Sequence, residues 1–157
     1  MHLAQDFMFI AIEEAMKAKK MDDVPVGAVI VKNNEIISKE HNKVQELNNS
    51  LMHAEIMAIN SAISILGTKY LTDCDMYVTL EPCAMCAGAI VLSKIRRLYI
   101  GTEDIKNGAC GSVFNIVQEK KLNHFTEIYF GINEKKCKDL LTDFFQNIRK
   151  QKSAKIG

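Results

Sequence analysis

The sequence predicts a single α/β domain in which five strands form a mixed sheet flanked by helices. Three observations carry this. The 157 residues suffice for one buried core and are too few for two comfortable ones. Two apolar runs, "VPVGAVIVK" and "EIISKEH", are separated by "NN", a pair that tolerates positive φ, and so pattern as an antiparallel hairpin. Further along, "MYVTL", "CAMCAGAIVLSK" and "RLYIG" alternate strand, helix and strand, the layout of parallel strands joined by crossovers.

Taken in order, the first twenty residues place Leu3, Phe7, Ile10, Ala11, Ala15 and Ala18 at helical spacing, and the lysine-rich end suits the negative helix terminus. After the hairpin, Met52, Ile56, Ile59, Ile63 and Leu66 mark a second helix from about His53 to Leu66, closed by Gly67. The strand–helix–strand unit comes next, then the glycine-rich loop "GTEDIKNGACGS". "TEIYFG" supplies the fifth strand, and residues from about Asn133 to Arg149 a last amphipathic helix. The tail of about residues 150–157, "KQKSAKIG" from Lys150 on, is expected to be frayed or disordered.

Composition narrows the function classes. With 48% hydrophobic and 25% charged residues this is an ordinary globular composition, and a formal charge of +1 gives no global attraction to nucleic acid or membrane. Any polyanion must be held by a local patch. The N-terminal stretch mixes acids and bases into its apolar residues, which is unlike a signal peptide, and no apolar run reaches spanning length. The expected location is therefore cytoplasmic, with no membrane partner. Five cysteines, an odd number, argue against a disulfide framework there and point to metal or redox chemistry.

Cys83 and Cys86 lie in the first turn of the helix that leaves the "MYVTL" strand, and their i, i+3 spacing aims both thiols the same way. Open α/β sheets build ligand sites at that edge, and the positive helix end favours thiolates. The pair alone fits either a redox dithiol or half of a metal site. "HAE" at the start of the preceding helix adds His53, so that one imidazole and two thiolates make three ligands. Three protein ligands leave a fourth position for water, the pattern of a catalytic zinc. Glu55, two residues after His53, is out of helical register for ligation and is placed to exchange protons with that water. Two thiolates cancel the charge of the ion, so its water needs such a base.

"HAE" followed by "PCAMC" matches the H-x-E…P-C-x-x-C signature of the zinc-dependent nucleoside and nucleobase deaminases. With "VPVGAV", "TLEPCAMCAGAI", "DIKNGACGS", "LNH" and "DFFQNIR" added, the chain resembles the bacterial tRNA-specific adenosine deaminases over nearly its whole length. The resemblance implies a three-layer α/β/α cytidine-deaminase-like fold. It also implies one zinc per subunit on His53, Cys83 and Cys86, with Glu55 as proton shuttle, in a homodimer. The implied reaction converts the wobble adenosine of an arginine tRNA anticodon to inosine. Asn42 matches a residue that contacts the flipped base, and Asp104 one in the loop around the sugar. His124 falls where the family lines its RNA groove, and Phe145 with Arg149, one turn on, offers a stacking surface and a phosphate contact. Leu51 and Met52 depart from the threonine and small residue usual before the zinc histidine, which bears on pocket contacts and not on the metal.

Plainer readings stand beside these. His2, His41 and, taken without the family, His124 read as surface or core residues, and Cys74, Cys110 and Cys137 as small buried or loop residues. Read without the family, Asn42 is a polar residue after a strand and Asp104 a loop acid. The same zinc chemistry also serves deaminases of free cytosine, guanine or deoxycytidylate, and a zinc-binding partner subunit without activity is a rival of another class. Retention of Glu55 speaks against the last.

Overall fold

The computed structural model describes residues 3–156. Its elements run α1 (Ala4–Lys20), β1 (Gly27–Lys32), β2 (Glu35–His41), α2 (Ala54–Leu66), β3 (Cys74–Leu80), α3 (Ala84–Ser93), β4 (Arg97–Thr102), β5 (Glu127–Phe130) and α4 (Glu134–Ile156). The strands form one sheet in the order β2-β1-β3-β4-β5. β1 is antiparallel to both of its neighbours, while β3, β4 and β5 are parallel. Asn33 and Asn34, at φ 50° and 65°, make the hairpin turn as expected, because both positions of such a turn need positive φ.

The central strands alternate between two apolar layers. Ala28, Ile30, Met76, Val78, Leu98 and Ile100 face α2 and α3, whereas Val29, Val31 and Tyr77 face α1 and the start of α4. The result is the expected three-layer α/β/α sandwich. α1 lies so close to β1 that a Cβ on Gly27 would run into the Ala11 carbonyl oxygen, so only glycine fits there. On the α2 side, Ile59, Ile63 and Leu66 of the expected stripe pack in or against the core, Met52 precedes the helix, and small residues take the innermost positions. The buried face of α2 is Ala54, Glu55, Ala58, Ile59 and Ala62. Small residues bring this helix near enough to the sheet for Ser38 Oγ to donate to the Ala58 carbonyl at 2.8 Å.

The expected disordered tail is corrected. α4 continues as helix through Ile156, because Arg149, Lys150, Gln151, Lys152, Ala154 and Lys155 are good helix formers with no glycine or proline among residues 149–156, and their cations suit a helix C-terminus. Gly157 and His2 lie outside the described residues. Topology then explains where a site must form. With β1 antiparallel to both, β2 and β3 point the same way, so α2 and α3 start from the same edge of the sheet.

Candidate active site

His53 and Cys83 are the N-cap residues of α2 and α3, and Cys86 sits one turn into α3. Neither N-cap side chain caps its own helix. Both are turned toward each other across the sheet edge. His53 Nδ1 lies 3.6 Å from Cys83 Sγ and 3.5 Å from Cys86 Sγ. A tetrahedral zinc with ordinary Zn–N and Zn–S bonds separates nitrogen from sulfur by about 3.6 Å, so the donor set fits that ion. This trio, all within 4.8 Å of one another, is the one such His/Cys/acid cluster among the described residues.

The local electrostatics favour ligation. Cys83 is held well below the ordinary thiol value, first by the hydrogen bond from Cys86 and then by the one from His53. Cys86, the donor and largely buried, is pushed up, and contact with Cys83 raises His53 against the opposing effect of burial. One thiolate therefore stands ready.

The cluster opens on a cavity of about 420 Å³. Val24, Val26 and Leu80 give it apolar walls, and Asp23, Asn42, Gln45, Ser50, Glu55, Glu81, Asp104 and Asn107 its polar ones. Glu55, at the second position of α2, is only 4% exposed, and burial pushes its carboxyl up to about 7. A group poised there accepts and returns a proton near neutral pH. Asn42 Oδ1 accepts from the Ala54 N–H at 2.9 Å, satisfying the helix start that His53 leaves uncapped. Its amide nitrogen is thereby the free end, a donor at the cavity wall. Asp104 uses Oδ1 for the amides of Lys106 and Asn107, at 3.0 and 3.1 Å, which leaves Oδ2 as its available acceptor.

Two wall-building residues escape the sequence reading. Glu81, 2% exposed, accepts from the Asp104 amide through Oε1 at 3.0 Å, and from the amides of Cys110 and Ser112 through Oε2 at 3.0 and 3.1 Å. A Cβ on Gly108 would collide with this carboxylate, so glycine is required where the loop wraps it. Asp23 does the same for the opposite wall, accepting from the amides of Val24 and Gln45, both at 2.9 Å. The sequence carries little signal of either role: apart from Val24, the partners are backbone amides more than twenty residues along the chain.

Other expected residues fall outside this cavity. His124 Nε2 lies 2.6 Å from the Ile95 carbonyl, at the amino end of β4 and so at the opposite sheet edge from the His53, Cys83 and Cys86 cluster. Phe144 and Phe145 divide as their adjacency demands: the first is buried, while the second is exposed and packs edge-on against it at 5.4 Å. Arg149 Nε reaches the Phe145 carbonyl at 3.4 Å. This part of α4 borders a second groove of about 370 Å³, lined by Lys19, Asp22, Gln45, Phe144, Asn147, Ile148 and Gln151. Gln45 belongs to both, so the groove adjoins the cavity beside His53 and Cys83. Leu51 and Met52 precede His53 in a turn, with Leu51 exposed and the Met52 carbonyl accepting from the Lys43 amide at 3.0 Å.

Residues 1–102 match the family described as the cytidine and deoxycytidylate deaminase zinc-binding region. The chain belongs to that family. This deaminase is 43% identical over 154 residues to a tRNA-specific adenosine deaminase of Bacillus subtilis, covering 97% of this chain and 96% of that one. To the tRNA-specific adenosine deaminase of Aquifex aeolicus it is 47% identical over 144 residues, 91% and 94% of the two chains. A structure solved in a study of A-to-I editing by tRNA:A34 deaminases matches with a TM-score of 0.83 at 41% identity, spanning 87% of this chain and 99% of that one. A guanine deaminase from Nitrosomonas europaea shares the fold, at a TM-score of 0.79 and 21% identity over 92% of this chain and 85% of that one.

Proposed function

We propose that this deaminase converts the wobble adenosine of a tRNA anticodon, in an arginine tRNA, to inosine, consuming water and releasing ammonia. The observation that carries the substrate is the likeness to tRNA-specific adenosine deaminases at 43% and 47% identity over more than nine tenths of the chain. His53, Cys83 and Cys86 would hold one zinc per subunit. That ion, when bound, supplies the Lewis acidity that makes water a nucleophile at neutral pH.

The rest falls to this chain's own side chains. The base leaves its stack to enter the cavity, at least cost when already unpaired, as a wobble nucleotide is. Val24, Val26 and Leu80 exclude bulk water from the reacting carbon, and Asn42 donates through its free amide nitrogen to a ring acceptor. Glu55 takes one proton of the attacking water and passes it to N1 of adenine; it then takes the second proton from the oxygen now bonded to C6 and gives it to the amine, which leaves as ammonia as the C6–N bond breaks and the C6 carbonyl forms. Its near-neutral carboxyl suits each of these transfers. Asp104 accepts a ribose hydroxyl through Oδ2. Phe145 and Arg149, beside the adjoining groove, meet the flanking nucleotides. His124 faces the other sheet edge and reaches RNA only from a second subunit.

A cytoplasmic homodimer completes the reading. Leu92 on α3 and Ile105 and Phe114 in the loop after β4 are 77%, 74% and 59% exposed, apolar surface that a second copy would cover. No helix among the described residues is long and apolar enough to cross a membrane. The test is incubation of pure protein with unmodified arginine tRNA, reading inosine at the wobble position and mass by light scattering. Turnover of free guanine or cytosine with no inosine in tRNA refutes the substrate, and a fully active monomer refutes the dimer.

A further inference from the structure

The distribution of charge poses a problem for binding a tRNA. The chain's formal charge is +1. After Asp143 there is no acid, while Arg149, Lys150, Lys152 and Lys155 contribute four positive charges. Everything else therefore sums to −3. A polyanion approaching the body alone would be repelled, and the positive excess is concentrated in the last two turns of α4, which the structure keeps helical.

These cations are also well placed. Phe144, Ile148 and Gln151 line the groove next to the active cavity, and Lys155 continues the same helical row one turn further. Lys152 continues the row of Phe145 and Arg149, and Lys150 that of Asn147. From Ile148 to Lys155 is about 10 Å along the axis at the ordinary helical rise. All three lysines are exposed, and none makes an ion pair among the described residues.

Granted a tRNA substrate, we propose that Lys150, Lys152 and Lys155 form a phosphate-binding ridge for the RNA backbone flanking the target nucleotide, separate from the cavity that takes the base. Phosphate contacts position a nucleic acid without reading sequence, which is the task a small base pocket leaves unmet. A lipid surface suits this helix poorly. Phe144 and Ile148 face the protein body, and the exposed Phe145 and Ile156 are separated along their helical row by Arg149 and Lys152, so they form no continuous apolar surface. Lysines near a helix C-terminus also complement the backbone dipole, but that role affects helicity and not the salt dependence of RNA binding.

The test is binding of an anticodon stem-loop by the zinc-loaded enzyme from about 50 to 200 mM salt, using fluorescence anisotropy. Each lost phosphate contact lowers the slope of log K against log salt by roughly 0.7–0.9, so Lys150→Gln, Lys152→Gln and Lys155→Gln together should lower it by about 2–3. The triple Lys→Arg variant should bind as the parent does. Lys39→Gln, Lys69→Gln and Lys138→Gln, the same loss of charge elsewhere on the surface, should leave the slope nearly unchanged, because exposed charges beyond about 8 Å are screened at physiological salt. Circular dichroism and zinc content establish that each variant is folded. Wild-type slope and affinity in the triple glutamine variant overturn the ridge, as does an equal effect in the surface control or a preference for anionic vesicles over RNA. A parent enzyme that makes no inosine in tRNA overturns the substrate reading instead, so the two failures are distinguishable.

Discussion

Glu81→Gln isolates the buried carboxylate that holds the 104–112 wall. Its two oxygens accept three backbone amides, those of Asp104, Cys110 and Ser112. An amide side chain has one acceptor oxygen, and its best placement faces Cys110 and Ser112, where two donors converge. Its NH₂ then meets the Asp104 N–H donor to donor. One charge-assisted bond, typically worth about 1.5–3 kcal/mol, is lost outright, and the other two lose the benefit of ionisation. The expected cost is about 2–4 kcal/mol, or roughly 5–15 °C in Tm for a domain of this size. Because the displaced amide belongs to Asp104, KM for a ribose-bearing substrate should rise more than kcat falls, while zinc stays at the parent level. Thermal melting, metal analysis and steady-state kinetics read all three. A variant that melts within about 1 °C of the parent with unchanged KM would refute the reasoning, since it would show that the three amides find equal partners elsewhere.

The same geometry sets three further outcomes. Cys83→Ala should abolish stoichiometric zinc, read by plasma mass spectrometry, and equal zinc in parent and variant sinks the ligand assignment. Glu55→Gln should keep zinc and fold yet lose activity by about 10²–10⁴-fold, the usual worth of an acid–base group; loss of metal instead would make Glu55 a ligand. Glu14, buried in α1, is raised by burial but lowered more by its bonds to Lys17 and His41, so that its folded value lies below the ordinary carboxylate one. A depressed value contributes stability that is present above the unfolded pKa of about 4.5 and is lost as pH falls through the folded one. Melting across pH 3 to 6 should thus show a flatter acid limb in Glu14→Gln, and an identical limb contradicts the pairing.

The features legible in the sequence are local. The asparagine pair, the apolar strand runs and the i, i+3 cysteines each act within a few residues, and the structure forms the corresponding turn, strands and thiol pair. His53 can be joined to the cysteines from sequence because a shared sheet edge is a matter of strand direction, which the pattern of elements supplies. The alanine face of α2 is masked by its isoleucines, which carry the stronger helical period although only Ile59 among them is fully in the contact and Ile63 lies at its border. The tail reads as frayed because charge looks like solvation, while the same lysines and glutamine are good helix formers. The walls of the cavity are invisible for a deeper reason. Asp23 and Glu81 bind backbone amides, which every residue but proline possesses, so nothing at positions 45, 110 or 112 marks a partner. An acceptor-only side chain is what such a cluster of converging N–H groups demands, and a buried carboxylate is stable there because its charge meets donors on every side. The chemistry of the site thus resides in two short motifs, whereas its shape depends on two acids whose importance emerges only once the chain is folded around them. Substitutions in the motifs should therefore change metal and turnover, and substitutions at Asp23 or Glu81 should change which substrates enter.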